Sequence, residues 1–483
     1  MWHNETDVVV IGYGGAGAAA AITVHDAGSN VIILEKSATG GGNTRHAGGT
    51  LREYLNIDKA ITFFSSVFPK DVSQDRIRTY VEESAKNPQW ILDLGGELDP
   101  TGTSQALQEQ NITRSLVIWS HLPGAEGMGG RWHVKGSLRP GGANMWALLQ
   151  QSVEKRGIKV LINTRATHLI TNEHKEIIGV TAEGPDGEIR LKARRAVVLT
   201  CGGFSSNAEM MLNYIGLAYG SCGHPGNTGD GVRMGIEVGA DLWHMCGVSC
   251  TLGFKVPEYD VIISASIRAP QHIFVDQNGK RFVDEVGTDL HAMAYEVSHQ
   301  DHKTLTYPRI PAYLIFDESV REAGPIQTHC PGPITDVYKW SKDNLSEIEK
   351  GWIKKAKNVR ELALQLGLRP ESLQEAVSKY NIYCAGGYDA EFGRREESLK
   401  PIIKPPFYGI ALWPSLINTQ GGPKRNAKAQ VLNTEGKPIK RLYSAGELGS
   451  FFNRLYPGAG NVSEALAFGR IAGRNAATEI LLD

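Results

Sequence analysis

Residues 7–36 read DVVVIGYGGAGAAAAITVHDAGSNVIILEK. Asp7–Gly12 is a continuous apolar run of strand length, and Ala18–Ile22 favours helix. Between them, Gly12, Gly14 and Gly17 stand in the spacing G-x-G-x-x-G, with Gly15 and Ala16 inside it. A second apolar run, Val31–Leu34, ends at the acid Glu35, which is followed by Lys36. Strand, glycine turn, helix, strand and acid in this order form the dinucleotide fingerprint. Gly12 permits a tight turn, and Gly14 lets backbone N–H groups approach a pyrophosphate. Gly17 lets the helix lie on the sheet with its positive end toward the phosphates. Glu35 is placed to accept from a ribose 2′-hydroxyl. An ordinary buried βαβ unit needs neither three glycines nor the terminal acid.

The remaining totals narrow the class. A chain of 483 residues exceeds what one core usually holds, so two domains are expected. Its 51 basic residues balance 52 acidic ones, which leaves no electrostatic footprint for nucleic acid or an anionic membrane. Without an apolar stretch of about 18 residues, no membrane span is expected. Met1–Thr6 leads directly into the first strand, so no signal peptide is expected either. The six cysteines (Cys201, Cys222, Cys246, Cys250, Cys330, Cys384) lack CxxC and CxxCH spacing. They read as plain thiols in a cytoplasmic protein, with no metal site and no attached haem.

Farther along, Gly40–Thr44 is a glycine loop and 58–95 reads as helices. The stretch 119–142, with His121, Arg131, Trp132 and His133, reads as a long glycine-rich loop of functional character. A helix over 143–156 follows, then short strands at 159–163, 167–170, 177–183 and 188–192, the last two joined by Pro185-Asp186-Gly187. Residues 196–201 form another buried strand before Gly202-Gly203, and Gly226–Gly231 opens a helix. From about 244 to 410 the character changes. His272–Asp276 and Arg281–Asp284 read there as a hairpin, and 341–384 as mainly helical. Cofactor-like patterning returns at Leu442–Glu447 and Tyr456–Asn461 before a last helix. The fold expected is α/β: a discontinuous Rossmann-like domain (1–243 and 411–483) with an inserted α+β domain (244–410).

Five segments carry a family resemblance: ILEKSATGGGNTRHAGG, VVLTCGGF, NTGDGVRMG, FVDQNGKRFVDE and LYSAGELG. In this order, over nearly the whole chain, they resemble the fumarate reductase and succinate dehydrogenase flavoprotein superfamily, which includes the soluble 3-ketosteroid dehydrogenases. The single fingerprint agrees with FAD as the one dinucleotide. The resemblance implies an FAD-binding domain with an inserted substrate-binding cap. By motif, Glu35 would bind the adenosine ribose, and Gly42, Asn43, Thr44, Gly48 and Gly49 would line the phosphates and flavin. Asp230 and Glu447 would hold the flavin's sugar chain. Ala166, Thr200, Gly202, Gly203, Asn227, Thr228 and Gly446 complete the expected cofactor set. Asn461 and Val462 would direct helix N–H groups at the flavin N1/O2 edge. Members with covalent FAD carry His where this chain has Asn43, so the FAD is expected to be dissociable.

The family's chemistry, by the same resemblance, is hydride exchange between flavin N5 and a carbon next to an electron-withdrawing group. This chain departs from the fumarate pattern. The acid Arg falls on Asp289, the substrate His on Ile417 or Asn418, and an anchoring Arg on Pro457. Arg268 matches, but its Glu partner is Ala265. A buried dicarboxylate would lack cationic partners. Arg454–Gly460 (RLYPGAG) instead resembles the Y-P-G-x-G segment of the ketosteroid dehydrogenases. By that match Tyr456 O–H and Gly460 N–H form a two-donor hole for a substrate oxygen. Tyr295, His133 and Arg268 are candidate proton-transfer residues, with Tyr408, His121 and His291 behind them. The reading is an FAD-dependent oxidoreductase acting on a neutral ring enone, with an external electron donor or acceptor. Two alternatives remain open: a reductase of a small unsaturated acid (urocanate, cinnamate or fumarate) anchored by Arg454 and Arg268, and an FAD-binding electron carrier without turnover.

Overall fold

The computed structural model describes residues 2–68, 72–109, 119–138, 140–217, 219–256, 258, 262–289, 291, 293–326 and 338–482. Strand β1 (Asn4–Ile11) is buried on both faces from Thr6 onward, as a continuous apolar run in a parallel sheet should be. The chain turns at Gly12 (φ +104°) into α1 (Gly15–Asp26) and returns as β2 (Val31–Leu34), parallel to β1 with Val8 opposite Val31.

A separate three-stranded antiparallel sheet holds β3 (Thr50–Tyr54), β4 (Leu98–Asp99) and β5 (Met128–Val134), with β5 in the middle. Residues 128–134 of the stretch 119–142 are therefore strand rather than loop. Gly129 and Gly130 are packing requirements within that strand. A Cβ on Gly129 would lie 2.6 Å from Glu53 Oε2, and one on Gly130 2.2 Å from Gly102 O.

Strands β6 (Lys159–Leu161), β7 (Arg165–Thr171), β8 (Ile177–Gly184) and β9 (Gly187–Leu199) follow. The runs 188–192 and 196–199 prove to be one strand, which leaves the β7–β8 arm to enter the core beside β1. Then come α2 (Asp230–Glu237) and, near the end of the chain, β10 (Gln430–Leu432), β11 (Pro438–Ser444) and α3 (Asn461–Ala477). The main sheet runs β10–β11–β9–β1–β2–β6, and the five strands from β11 to β6 are mutually parallel. Helix α3 lies on α1 although their sequences are some 450 residues apart. A Cβ on Gly469 would sit 2.6 Å from Ala16 O, and one on Gly473 2.5 Å from Ala20 O, so only glycine allows this approach.

The chain divides into two units: Met1–Ala218, Gly223–Val248 and Asn418–Asp483 form one, Tyr219–Cys222 and Ser249–Ile417 the other. The division falls near 249 and 417 rather than at 244 and 410, because the strand Phe407–Thr419 continues through residue 410. In the second unit this strand is the hub of a seven-stranded sheet. Strand His272–Val275 pairs with Ala312–Asp317. The hairpin expected with Arg281–Asp284 is reduced to one bridge, Val275 to Arg281. Arg281 is drawn instead into a buried ion pair with Glu285 (2.9 Å) and Asp389 (3.0 Å). Among the described residues no helix is long and apolar enough to cross a membrane. The five described cysteines are free, and Cys330 lies outside the described residues.

Candidate active site

The glycine turn has the form of a phosphate cradle. Gly12 packs on Thr200, whose hydroxyl donates to the carbonyls of Ile11 (2.9 Å) and Gly12 (3.0 Å). Gly17 faces Gly12 O, which a Cβ would approach to 2.0 Å. Gly15 N donates to Thr44 Oγ1 at 3.1 Å, which ties the turn to the Gly40–Thr44 loop. Gly14 differs from these glycines. Its backbone is extended (φ −98°), and a Cβ there would meet nothing nearer than Gly41 O at 3.7 Å. No described protein atom requires a glycine at 14, whereas a bound phosphate group does, so the cradle fits a dinucleotide. Glu35 is aimed by the same turn: its carboxylate accepts from Tyr13 N and Ser37 N, each at 2.8 Å, and keeps acceptor capacity for ribose hydroxyls.

A second cluster surrounds Glu447. Its carboxylate accepts from Asn43 Nδ2 (2.9 Å), Asn227 Nδ2 (3.0 Å) and Gly203 N (2.9 Å). Asn43 Oδ1 in turn accepts from His224 N at 2.7 Å, so the amide spans two loops. Side chains on Gly202 or Gly203 would collide with Asn227 or Thr419. Burial pushes the Glu447 carboxyl up to about 7, although the Asn43 amide and Gly203 N–H act the other way. Gly446 (φ +80°) packs beside Ala16. Gly49 (φ +69°) packs on the Gly141–Gly142 backbone. Ala166 is buried within β7, paired with Ala182.

Asp230 is held by cations, which Glu447 is not. Its buried carboxylate accepts from Lys36 Nζ (2.8 Å), Arg165 Nη2 (2.7 Å) and Thr228 Oγ1 (3.2 Å). Burial pushes its carboxyl up, and Arg165 and Lys36 more than offset this, so the group sits below the ordinary range. Asp230, Lys36 and Thr228 thus satisfy one another, and of the two acids expected at the sugar chain Glu447 is the partly exposed one.

At the head of α3, Tyr456 is buried with its ring edge-on to Phe452 (centroids 5.0 Å apart). Its Oη accepts from Gly460 N (2.9 Å) and Asn461 N (3.1 Å). This corrects the two-donor hole. Gly460 N–H points at the tyrosine oxygen rather than standing beside it to share a substrate atom. The Asn461 N–H is likewise engaged, and the next first-turn N–H groups are those of Val462 and Ser463. Asn461 Nδ2 donates to Asn418 Oδ1 (2.9 Å), and Gln420 Nε2 donates to Asn461 Oδ1 (3.2 Å).

Two arginines beside Tyr456 lie outside the set expected from sequence. Arg52 of β3 is buried, and its Nη2 donates to Pro457 O (3.0 Å) and Gly458 O (2.6 Å). Arg131 stands directly opposite it on β5, and both charges act on the Tyr456 phenol. No sequence signal links Arg52 to a tyrosine some 400 residues away. Arg131 belongs to the glycine-rich, aromatic stretch 119–142. His133 is on the same strand, opposite Thr50. Arg454 is exposed. Arg268 and Tyr295 belong to the second unit, where Arg268 is exposed and Tyr295 lies on the short helix Met293–Val297. There the Tyr408 hydroxyl donates to Glu318, and Ser249 Oγ lies 2.8 Å from His291 Nδ1.

The family described as "FAD binding domain" matches residues 7–463, and the chain belongs to it. Its cofactor is FAD, and the superfamily resemblance read from the five segments holds. The NADH:fumarate oxidoreductase of Klebsiella pneumoniae is 29% identical, over 98% of this chain and 47% of that one. The digoxin reductase of Eggerthella lenta is 29% identical, over 99% of this chain and 88% of the relative. The chain thus spans about half the length of some relatives and most of others. Among solved structures, a 3-ketosteroid delta1-dehydrogenase from Sterolibacterium denitrificans, in complex with 1,4-androstadiene-3,17-dione, superposes with a TM-score of 0.85. That match is at 23% identity and covers 98% of this chain and 99% of that one, a likeness of fold. These relatives are reductases and dehydrogenases, which makes the chain a flavoprotein of the oxidoreductase class.

Proposed function

We propose that the protein exchanges a hydride between FAD and a C–C or C=C bond next to a carbonyl or conjugated group of a neutral ring substrate, a steroid-like or polyphenol-derived enone. The observation that carries this reading is the buried Tyr456, its oxygen set on the first N–H groups of a 17-residue helix. Gly12–Gly17 and Glu35 hold the ADP part of the cofactor. Glu447, Asn43 and Asn227 hold its sugar chain, and Val462 N–H faces the flavin. Bound FAD supplies or accepts the hydride. The Tyr456 hydroxyl binds the substrate oxygen where charge develops, in surroundings that exclude water.

A second reading, a small unsaturated acid, is favoured by the Arg52–Arg131 pair. The two arginines stand opposite one another across β3 and β5, and both charges act on the Tyr456 phenol. The test is to reduce the flavin anaerobically and add enones, phenolic alkenes and unsaturated acids separately. Re-oxidation by enones supports the first reading and by acids alone the second. Re-oxidation by none of them leaves an electron carrier.

A further inference from the structure

We propose that Glu447 makes the loading of FAD proton-linked: its carboxylate takes the cofactor's sugar chain in its ionised form, so binding expels a proton. The proposal rests on the cofactor assignment above and is independent of the substrate. A carboxylate offers about four acceptor sites, two on each oxygen. Oε1 accepts from Gly203 N (2.9 Å) and Asn227 Nδ2 (3.0 Å), which fills it. Oε2 accepts from Asn43 Nδ2 (2.9 Å, with Oε1 at 3.2 Å), which leaves one site. A proton and a sugar hydroxyl both need that site, because N–H hydrogens already point at the other three. A hydroxyl donating to the ionised oxygen makes a charge-assisted bond, roughly twice as strong as one between neutral groups. FAD therefore selects the ionised form.

The surroundings leave this carboxyl poised rather than permanently charged. Among the described residues the partners of Glu447 are amide N–H groups, with no cation. Burial pushes the carboxyl up to about 7, although the Asn43 amide and Gly203 N–H act against it. From α3, Glu464 adds repulsion, its own charge being held by Arg425. Residues 42–46 meet Glu447 with the Asn43 amide. The loop before α2 meets it with Asn227, and Asp230 beyond is already held by Lys36 and Arg165. After β9 it meets Gly203 N–H, and the nearby Cys201 thiol, pushed up to about 12 by burial, stays neutral. Ala16 of α1, beside Gly446, brings no charge. His224, whose N–H ends on Asn43 Oδ1, is lowered by burial and is neutral at pH values where Glu447 titrates. Glu447 is thus the group of this cluster whose charge changes near neutrality.

The experiment uses the full chain freed of FAD, with FAD itself as the probe, since FAD has no group of its own that titrates near neutrality. Flavin-fluorescence titration should show affinity falling about 10-fold from about pH 8 to about pH 6, as a carboxyl at about 7 in the free chain requires. In weak buffer at about pH 6.5, a pH indicator should record most of one proton released per FAD bound. Glu447→Gln should bind FAD weakly and without this pH dependence. Asn43→Ala removes an N–H that favours the ionised form, so it should move the fall to higher pH. A flat profile in the parent, or a proton taken up instead of released, overturns the coupling even where Glu447→Gln binds weakly. A profile that persists in Glu447→Gln overturns it too, because another group then titrates. If Glu447→Gln binds FAD as tightly as the parent at every pH, the cofactor assignment of Glu447 has failed, and the coupling with it. The parent's profile and proton count need no variant, so they decide the matter even if Glu447→Gln does not fold.

Discussion

Gly14 separates ligand binding from folding at a single residue. Its φ of −98° is open to any residue, and a Cβ added there would lie 3.7 Å from the nearest protein atom. Gly14→Ala should therefore leave the thermal midpoint of the FAD-free chain nearly unchanged, within about 0.5 kcal/mol of stability, as for other substitutions that touch little. FAD affinity, by titration of flavin fluorescence, should fall by about 100-fold or more, because the added carbon occupies phosphate space. Gly17 contrasts with it: a Cβ there lies 2.0 Å from Gly12 O, so its replacement should damage the fold itself. Glu447 makes a different residue-scale prediction. Its carboxyl is ordinarily near 4.5 and is pushed by burial up to about 7. Between those values the folded chain holds a proton that the unfolded chain has released. Glu447 thus lowers stability progressively as pH rises from about 4.5 to about 7, and the effect levels off above that. Asp230, held low by Arg165 and Lys36, contributes with the opposite sign at more acid pH. Urea midpoints at about pH 5 and about pH 8 should show Glu447→Gln stabilised relative to the parent at the higher pH, by about 1–3 kcal/mol given the partial exposure of the group. Equal differences at both pH values would remove the assignment.

At the scale of elements, α3 is what joins the two ends of the chain. Gly469 and Gly473 seat it on α1, and one buried ion pair fixes its first turn to the strand-end loops. Arg425 donates to Glu464 and to the carbonyls of Gly446 (3.1 Å) and Leu448 (2.8 Å), and so brackets Glu447. Glu464 also accepts from Ser450 Oγ at 2.6 Å. Burial lowers the Arg425 guanidinium and raises the Glu464 carboxyl, the mark of charges held by each other rather than by water. Breaking such a pair from one side leaves the other charge stranded. Glu464→Ala should cost about 3–5 kcal/mol of stability, and Arg425→Met/Glu464→Leu together should regain most of it. If the double variant is as unstable as the single, the energy lies in packing instead. The elements that sequence resolved best were those with local periodicity, β1, α1 and β2. Strand β5 was hidden because Gly129 and Gly130 replace the alternation a strand normally shows, for reasons of contact with Glu53 and Gly102.

For the whole molecule, the chain order of nucleotide domain, insertion and return was legible because glycine-ended apolar strands reappear after residue 411. The arrangement around Tyr456 was legible only as far as the motif carried it. A motif names Tyr456 and Gly460, but whether the N–H stands beside the hydroxyl or points at it depends on Arg52, a contact between residues some 400 positions apart. The acids show the same limit: Glu447 and Asp230 are equivalent in sequence, but cations surround Asp230 and amide N–H groups surround Glu447. The proposed cofactor residues come from four separated segments, 12–17, 35–49, 200–230 and 446–462, together with Ala166, and nearly all of that length lies in one unit. A ligand bound by segments so far apart can hold only the folded chain, so FAD should act as a stabiliser. At about 100 times its Kd, free FAD should add roughly 2.7 kcal/mol, seen as a higher thermal midpoint. Attachment through hydrogen bonds is the expectation, because Asn43 stands where a linking histidine would be and its amide is already shared between Glu447 and His224. Holoprotein unfolded in urea and filtered should therefore leave its yellow colour in the filtrate. Flavin retained with the unfolded chain would show a covalent bond and overturn this assignment.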